Sequence, residues 1–264
     1  MTAPAAQKPA TRRTVPLPAA VGALSLRGIR ASARDGDLVL AIGSPILFFL
    51  CFYTPLHRAF DAAGGRYAQY LAPVIVLQCG LFTAIVAAQV AGTDARSAAR
   101  DRFLTLPIPR VAPAAARMVT AAFRVSVAAA VAVGIASVFG FRFHGKPLHI
   151  AAFFAAVIAV TVALSMLCDA LGSSATNPEN VAQGLMIPQL LLVMLSTGLV
   201  PAQGFPGWVQ PFVRNQPISV LADAMRGWAD GEPTRVGPAA AWIAGLLAVG
   251  VAVIVVAGRK EATR

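Results

Sequence analysis

The stretch Leu71-Ala-Pro-Val-Ile-Val-Leu-Gln-Cys-Gly-Leu-Phe-Thr-Ala-Ile-Val-Ala-Ala-Gln-Val-Ala-Gly-Thr93 holds no charged residue. As a helix rising 1.5 Å per residue it is about 34 Å long, enough to cross a hydrocarbon layer about 30 Å thick. The composition around it agrees. The 264 residues are 57% hydrophobic and only 12% charged, with mean hydropathy +0.69, whereas soluble domains carry about 25% charged residues. That excludes an ordinary soluble globule, and the solvent this sequence is written for is lipid.

Working outward from 71–93, five further stretches have the same character. Residues 38–56 are free of charge and contain Pro45; 118–140 are rich in Ala and Val and carry Arg124; 148–171 carry Asp169; 185–201 are shorter and contain Pro188; 239–257 are clean. The reading is an all-α integral membrane protein with six transmembrane helices. Residues 1–20, rich in Pro, Ala and Thr, read as a disordered cytoplasmic tail without the apolar core of a secretory signal. Residues 21–264 read as one membrane domain that holds all six spans.

Basic residues stay on the cytoplasmic side of membrane proteins, so their distribution sets the orientation. With the N-terminus inside, the inner segments hold Lys8, Arg12, Arg13, Arg27, Arg30 and Arg34, then Arg96, Arg100, Arg102, Arg110 and Arg117, and finally Arg259, Lys260 and Arg264. The outer segments hold half as many: Arg58, Arg66, Arg142, Lys146, Arg214, Arg226 and Arg235. Both termini are therefore expected in the cytoplasm, as an even number of spans requires. The net charge of +11, which in a soluble protein would point to nucleic acid, is explained by this flanking role.

Three segments are more than connections. Residues 21–34 place Arg27, Arg30 and Arg34 on one helical face and Leu26, Ile29 and Ala33 on another, the pattern of a helix lying along the inner membrane surface. Between the second and third spans, Asp94 to Arg117 is the most charged part of the chain. Its centre, Arg102-Phe-Leu-Thr-Leu106-Pro107-Ile-Pro109-Arg110, has two prolines that stop a helix and stiffen the turn. A stiff, basic, partly apolar projection suits docking on another protein. Between the fifth and sixth spans, Pro206, Trp208 and a periodic stretch after Pro217 suggest short outer re-entrant helices. Ile218, Leu221, Met225 and Trp228 share one face; Ser219, Asp223, Arg226 and Asp230 share the other. Pro217 is placed to open this helix and Gly231 to close it, with Trp208 and Trp228 expected at headgroup level.

Ionisable residues inside spans mark function by default, and an Arg124–Asp169 ion pair between neighbouring spans is the pairing to test. Enzymatic signatures are lacking. Gly140-Phe-Arg-Phe-His-Gly145-Lys146-Pro147 has the spacing of a phosphate loop, but Pro147 stands where the Mg²⁺-binding hydroxyl belongs and no strand precedes it. His57, His144 and His149 lack the third ligand of a zinc site. Cys51, Cys79 and Cys168 lie far apart in apolar runs and read as small buried hydrophobes. No metal and no catalytic residue is expected.

Three features in order resemble the permease subunits of type-2 ABC exporters, in particular the daunorubicin-resistance-like branch: Asp94 with Arg102 to Arg110 followed by Ala116-Arg117; Ser196-Thr-Gly-Leu-Val-Pro201; and Pro206-Gly-Trp-Val-Gln-Pro-Phe-Val213 followed by Asn215-Gln-Pro-Ile-Ser219 and Ala222-Asp-Ala-Met-Arg-Gly227. Where relatives often carry Glu and then Gly before the Leu-Pro pair, this chain has Asp94 and Ala98. The resemblance implies six spans with both ends inside, a surface helix before the first span and outer re-entrant helices before the last. It implies that Arg102 to Arg110 and the helix around Arg27 to Arg34 face a separate ATPase subunit, which binds ATP and Mg, and that a second permease completes the transporter. A hydrophobic drug or complex lipid would then leave across the bacterial inner membrane, with spans one, two and five lining its route. Two other readings stay open: an intramembrane lipid-modifying enzyme, and a membrane assembly factor that transports nothing.

Overall fold

The computed structural model describes residues 15–34, 36–62, 64–96, 109, 111–232, 234 and 236–262. All regular structure among them is helical: α1 (Leu17–Arg34), α2 (Asp37–Ala62), α3 (Tyr67–Arg96), α4 (Ala112–Val138), α5 (Pro147–Ser174), α6 (Pro178–Met194), a 3₁₀ turn (Ala202–Gly204), α7 (Gln210–Asn215), α8 (Pro217–Asp230) and α9 (Val236–Ala262). Five of these, α2, α3, α4, α5 and α9, are long and apolar enough to cross a membrane.

The long helices run back and forth between two ends of the bundle. Asp94, Arg117 and Asp169 gather at one, termed here the arginine end; Tyr67, Tyr70 and Arg226 gather at the other, the tyrosine end. The stretch quoted above is the axis. In α3, 83% of the most apolar window is buried, against 11% in α2 and in α9, so the other helices are wrapped around it. Their outward faces present Leu40 and Leu47 on α2, Ile187 and Leu191 on α6, and Val251 and Val256 on α9.

Lipid is as apolar as leucine, so helices in a membrane associate through close packing more than through burial of apolar surface. Small residues at every fourth position provide it here. Gly80, Ala84, Ala88 and Gly92 form one stripe along α3, and α5 lies against it through Thr161, Cys168 and Gly172. A Cβ on Gly172 would collide with the Ala88 carbonyl, and one on Gly92 with Pro178 at the start of α6. At the tyrosine end aromatic rings do the joining. Tyr53 of α2 packs on Phe139 after α4 at 4.8 Å between centroids, and Phe60 packs on Tyr70 of α3 at 4.9 Å.

The helices run past the hydropathy windows at several ends, as at Ala62 where 56 was expected, and two of the boundaries are instructive. The apolar window 185–201 corresponds to a helix displaced toward the N-terminus, Pro178–Met194. Its first turn was invisible to an apolar window because it reads Pro-Glu-Asn. It stops early because Ser196 turns back on the chain, donating to the Val193 carbonyl at 2.6 Å and accepting from Gly198 N at 3.1 Å. The window 118–140 corresponds to Ala112–Val138, opened by Pro113 in its first turn. Arg117 is thereby on the helix, not in the loop where its charge had placed it.

Helix α8 opens at Pro217 and ends at Gly231, whose φ of +76° is the left-handed cap conformation that suits glycine. Ile218, Leu221 and Met225 are buried as the periodicity requires, but Trp228 is buried with them at 8% exposure instead of sitting among headgroups. Trp208, at 85%, is the exposed indole. Ser219, counted on the polar face, is fully buried.

Candidate functional site

At the arginine end three helices are tied by one guanidinium. Arg117, on the second turn of α4, donates from Nε to Asp169 Oδ1 at 2.5 Å and from Nη2 to Asp169 Oδ2 at 3.0 Å, a two-pronged bond to α5. Its Nη1 lies 3.5 Å from Asp94 Oδ2, in the last turn of α3. The Asp169 side chain is 8% exposed and that of Arg117 19%. Fork-to-fork geometry of this kind is directional as well as strong. Nearby, Arg96 Nη2 donates at 2.6 Å to the Ala175 carbonyl just past α5, satisfying a C-terminal acceptor.

Hairpin geometry selects Arg117. Helix α4 ends at Val138 and α5 begins at Pro147, so residues equally far from the turn lie level. Twenty-one positions back from Val138 is Arg117, and twenty-one forward from Pro147 is Cys168, beside Asp169. Arg124, seven positions deeper, is level with Thr161. The carboxylate expected to meet Arg124 is accordingly held by Arg117. Arg124 itself is 7% exposed and points into the same region.

That region is a cavity of about 300 Å³ between α1, α3 and α4, lined among others by Arg27, Asp94, Arg117, Arg124, Thr83 and Thr120. Helix α1 closes one side by lying close on α4. Ser25 Oγ donates to the Ala116 carbonyl at 3.4 Å, and a Cβ on Gly28 would come within 2.8 Å of Thr120 Oγ1. Its expected basic face is exposed, with Arg27, Arg30 and Arg34 all open. Of the basic projection, Arg102, Leu106, Pro107 and Arg110 lie outside the described residues. Pro109 is half-buried, and its carbonyl accepts from Ala112 N at 2.9 Å.

The tyrosine end has its own hub. Arg226 on α8 lies over the Tyr70 ring, 3.6 Å from its centroid. It donates to the carbonyls of Tyr70 at 3.0 Å and of Thr197 and Gly198 at 2.9 Å each, and pairs with Asp223 at 2.6 Å. One side chain thus joins α8 to α3 and to the segment leaving α6. Around it, Ser219 Oγ accepts from Thr197 N at 3.0 Å, Tyr70 Oη donates to the Thr197 carbonyl, and Gln216 donates to that of Leu195. Gln69, on the first turn of α3, donates to Asp230 at 2.7 Å and to the Arg142 carbonyl at 2.9 Å, and accepts from Arg142 N at 2.9 Å. Asp223 and Arg226 therefore belong to one polar seam, on the helix that Pro217 opens, while Pro206 and Trp208 stand exposed outside it.

Sequence reasoning gave no site role to Arg117, Gln69, Tyr70, Gln216 or Ser219. For Arg117 the hairpin count just given was an available signal. Uncharged Gln, Tyr and Ser in the first turns of helices leave none, since they look like ordinary interfacial residues. Neither hub assembles a nucleophile with a base. Each ties the ends of several helices together, which makes this a mechanical arrangement.

Comparison with known proteins agrees with that character. The family model described as ABC-2 family transporter protein matches residues 53–258. The chain is 33% identical over 219 residues to the doxorubicin resistance ABC transporter permease protein DrrB of Mycobacterium tuberculosis, covering 80% of this chain and 75% of the relative. It is 28% identical over 236 residues to the probable doxorubicin resistance ABC transporter permease protein DrrC of the same organism, covering 88% and 85%. To the daunorubicin resistance ABC transporter permease protein DrrB1 of Streptomyces coeruleorubidus it is 30% identical over 190 residues, covering 72% and 66%.

Proposed function

Since the chain belongs to the ABC-2 transporter family, we propose that the arginine end is where ATP hydrolysis by a partner is converted into movement of the helices. The chain is a multi-pass permease subunit of an ABC exporter in the bacterial cell membrane, without an ATPase site of its own. Its solute, on the strength of the relatives' names, is a hydrophobic drug of the doxorubicin and daunorubicin kind, with a complex lipid as the other class of comparable character.

In this reading α2, α3, α4, α5, α6 and α9 are the six spans of one domain, with both termini in the cytoplasm; expected from 21 to 264, it takes in residues 17–20 as well, which form the first turn of α1 where a disordered tail was expected. Helix α1 lies along the inner surface, and α7 and α8 re-enter the outer one. The excess of basic residues flanking the arginine end supports that orientation. The partner ATPase, carrying ATP and Mg, docks on Arg102 to Pro109 and Arg110 and on the exposed arginines of α1. A second permease, the same chain or a related one, supplies the other half.

What supports this reading most is Arg117. The docking segment joins the end of α3 to the start of α4, where Arg117 binds Asp94 on one side and Asp169 on the other. A push there is delivered to α3, α4 and α5 together. Charge reversal at Arg102 or Arg110 is expected to reduce co-purification with the ATPase at least tenfold. A complex recovered in unchanged yield would remove the docking assignment.

A further inference from the structure

We infer that Gln78 of α3 and Gln189 of α6 form a polar station for the transported solute, where hydroxyl or ammonium hydrogens of the solute are taken up inside the membrane. This role rests on the transport reading above and adds a solute contact to it. Gln78 is 3% exposed and Gln189 6%, and among the described residues neither carboxamide oxygen has a hydrogen-bond partner. A buried acceptor left without a partner is costly, the more so in hydrocarbon, where water cannot supply the missing hydrogen. Gln69 shows how a structural glutamine is treated in the same bundle: its amide donates to Asp230 and to the Arg142 carbonyl, and its oxygen accepts from Arg142 N.

The two amides share one seam. A Cβ on Gly92 would strike Pro178, and one on Gly198 would strike Val74. Val74 and Gly92 are five full turns apart, so the face of α3 that carries both is the face turned to α6. Gln78, one turn on from Val74, belongs to it. On α6 the buried residues are Pro178, Ala182, Gln189 and Val193, one stripe that starts at the Gly92 contact. Measured from that contact at about 1.5 Å per residue, Gln189 lies about 17 Å along α6 and Gln78 about 21 Å along α3, less than a turn apart in level. Thr161 Oγ1 and Ser165 Oγ also lack a partner among the described residues, but Thr161 lies against Gly80, which α3 turns to α5, on another side of the helix. Helix α6 is built to open the seam. Its opposite face, with Ile187 and Leu190, is exposed, and Pro188 has no N–H for the Gly184 carbonyl, which leaves α6 one backbone bond short beside Gln189. A helix bends at such a point, and bending there parts Gln189 from Gln78. The space so opened lies between two acceptor oxygens, which suits a solute that brings O–H or N–H hydrogens.

The test uses the full chain purified in detergent and two readings: doxorubicin binding, followed by quenching of its fluorescence, and the midpoint of unfolding by SDS. Gln78→Met and Gln189→Met remove the amide at nearly constant volume. Each should weaken the binding of doxorubicin, which carries hydroxyl and ammonium donors, about fivefold, the worth of one hydrogen bond. Each should also leave the unfolding midpoint at or above that of the parent, because an apolar group replaces an unpartnered polar one. Gln69→Met, which loses three hydrogen bonds, should lower the midpoint. Doxorubicin bound by both Gln78→Met and Gln189→Met as tightly as by the parent would mean that the amides hold water or nothing, and would overturn the site. A midpoint lowered in these variants as far as in Gln69→Met would mark structural amides and overturn it equally. Because no ATPase is present, failure here is separable from failure of the transport reading, which ATP-dependent uptake by the parent complex decides.

Discussion

Replacing Asp169 by Asn and Arg117 by Gln, singly and together, measures the link that ties α4 to α5. At an effective dielectric of about 20, unit charges about 4 Å apart interact by about 4 kcal/mol, and charges about 10 Å apart by about 1.7 kcal/mol. The first distance describes Arg117 and Asp169, whose bonds are 2.5 and 3.0 Å. The second is the distance along the helix that seven residues add for Arg124. Each single change leaves a buried charge short of its partner, which costs about 3–5 kcal/mol. Asp169→Asn should fall at the low end, because Arg117 keeps Asp94 at 3.5 Å. Unfolding free energies from SDS titration of the purified chain then close the double-mutant cycle. A coupling of about 2–4 kcal/mol is expected for Arg117 with Asp169, and less than half of it for Arg124 with Asp169. A larger coupling for Arg124, or none for Arg117, would refute the hairpin register on which the site is built.

Other changes probe the packing and the opposite hub. Gly172→Ala drives a methyl group into the Ala88 carbonyl and should cost about 1–3 kcal/mol in the same titration, while Gly245→Ala, where nothing lies within 4 Å, should cost nothing. Arg226→Lys keeps the charge but cannot reach three carbonyls and an aromatic face together. It should lower stability by about 2–3 kcal/mol and speed hydrogen exchange at residues 195–199 and 217–226, leaving exchange at the arginine end unchanged.

Apolar length made the membrane class and the long helices legible, because a run such as 71–93 has only one solvent in which it is stable. Pro217 and Gly231 marked α8 for an equally local reason, the fixed φ of proline and the left-handed cap of glycine. What escaped was set by partners distant in sequence. Arg117 is charged, so it was assigned to a loop; the structure keeps it on α4 because two carboxylates on other helices receive it. Ser219 sits on the polar face of its helix by pattern, yet is buried because the backbone at Thr197 needs an acceptor there. The displaced start of α6 shows the same limit: hydropathy finds the apolar middle of a helix and is blind to a polar first turn. The stripe of Gly80, Ala84, Ala88 and Gly92 was readable in principle, since small residues four apart let backbones approach, but it does not say which helix comes to lie on it.

The central claim is that this chain moves solute only with a motor it does not contain. Membrane vesicles turned inside out, holding the chain with or without its co-purifying ATPase, test it through ATP hydrolysis and uptake of doxorubicin together. The account predicts no hydrolysis above background by the chain alone, and ATP-dependent uptake that appears only when both proteins are present. Hydrolysis of ATP by the purified chain would contradict it.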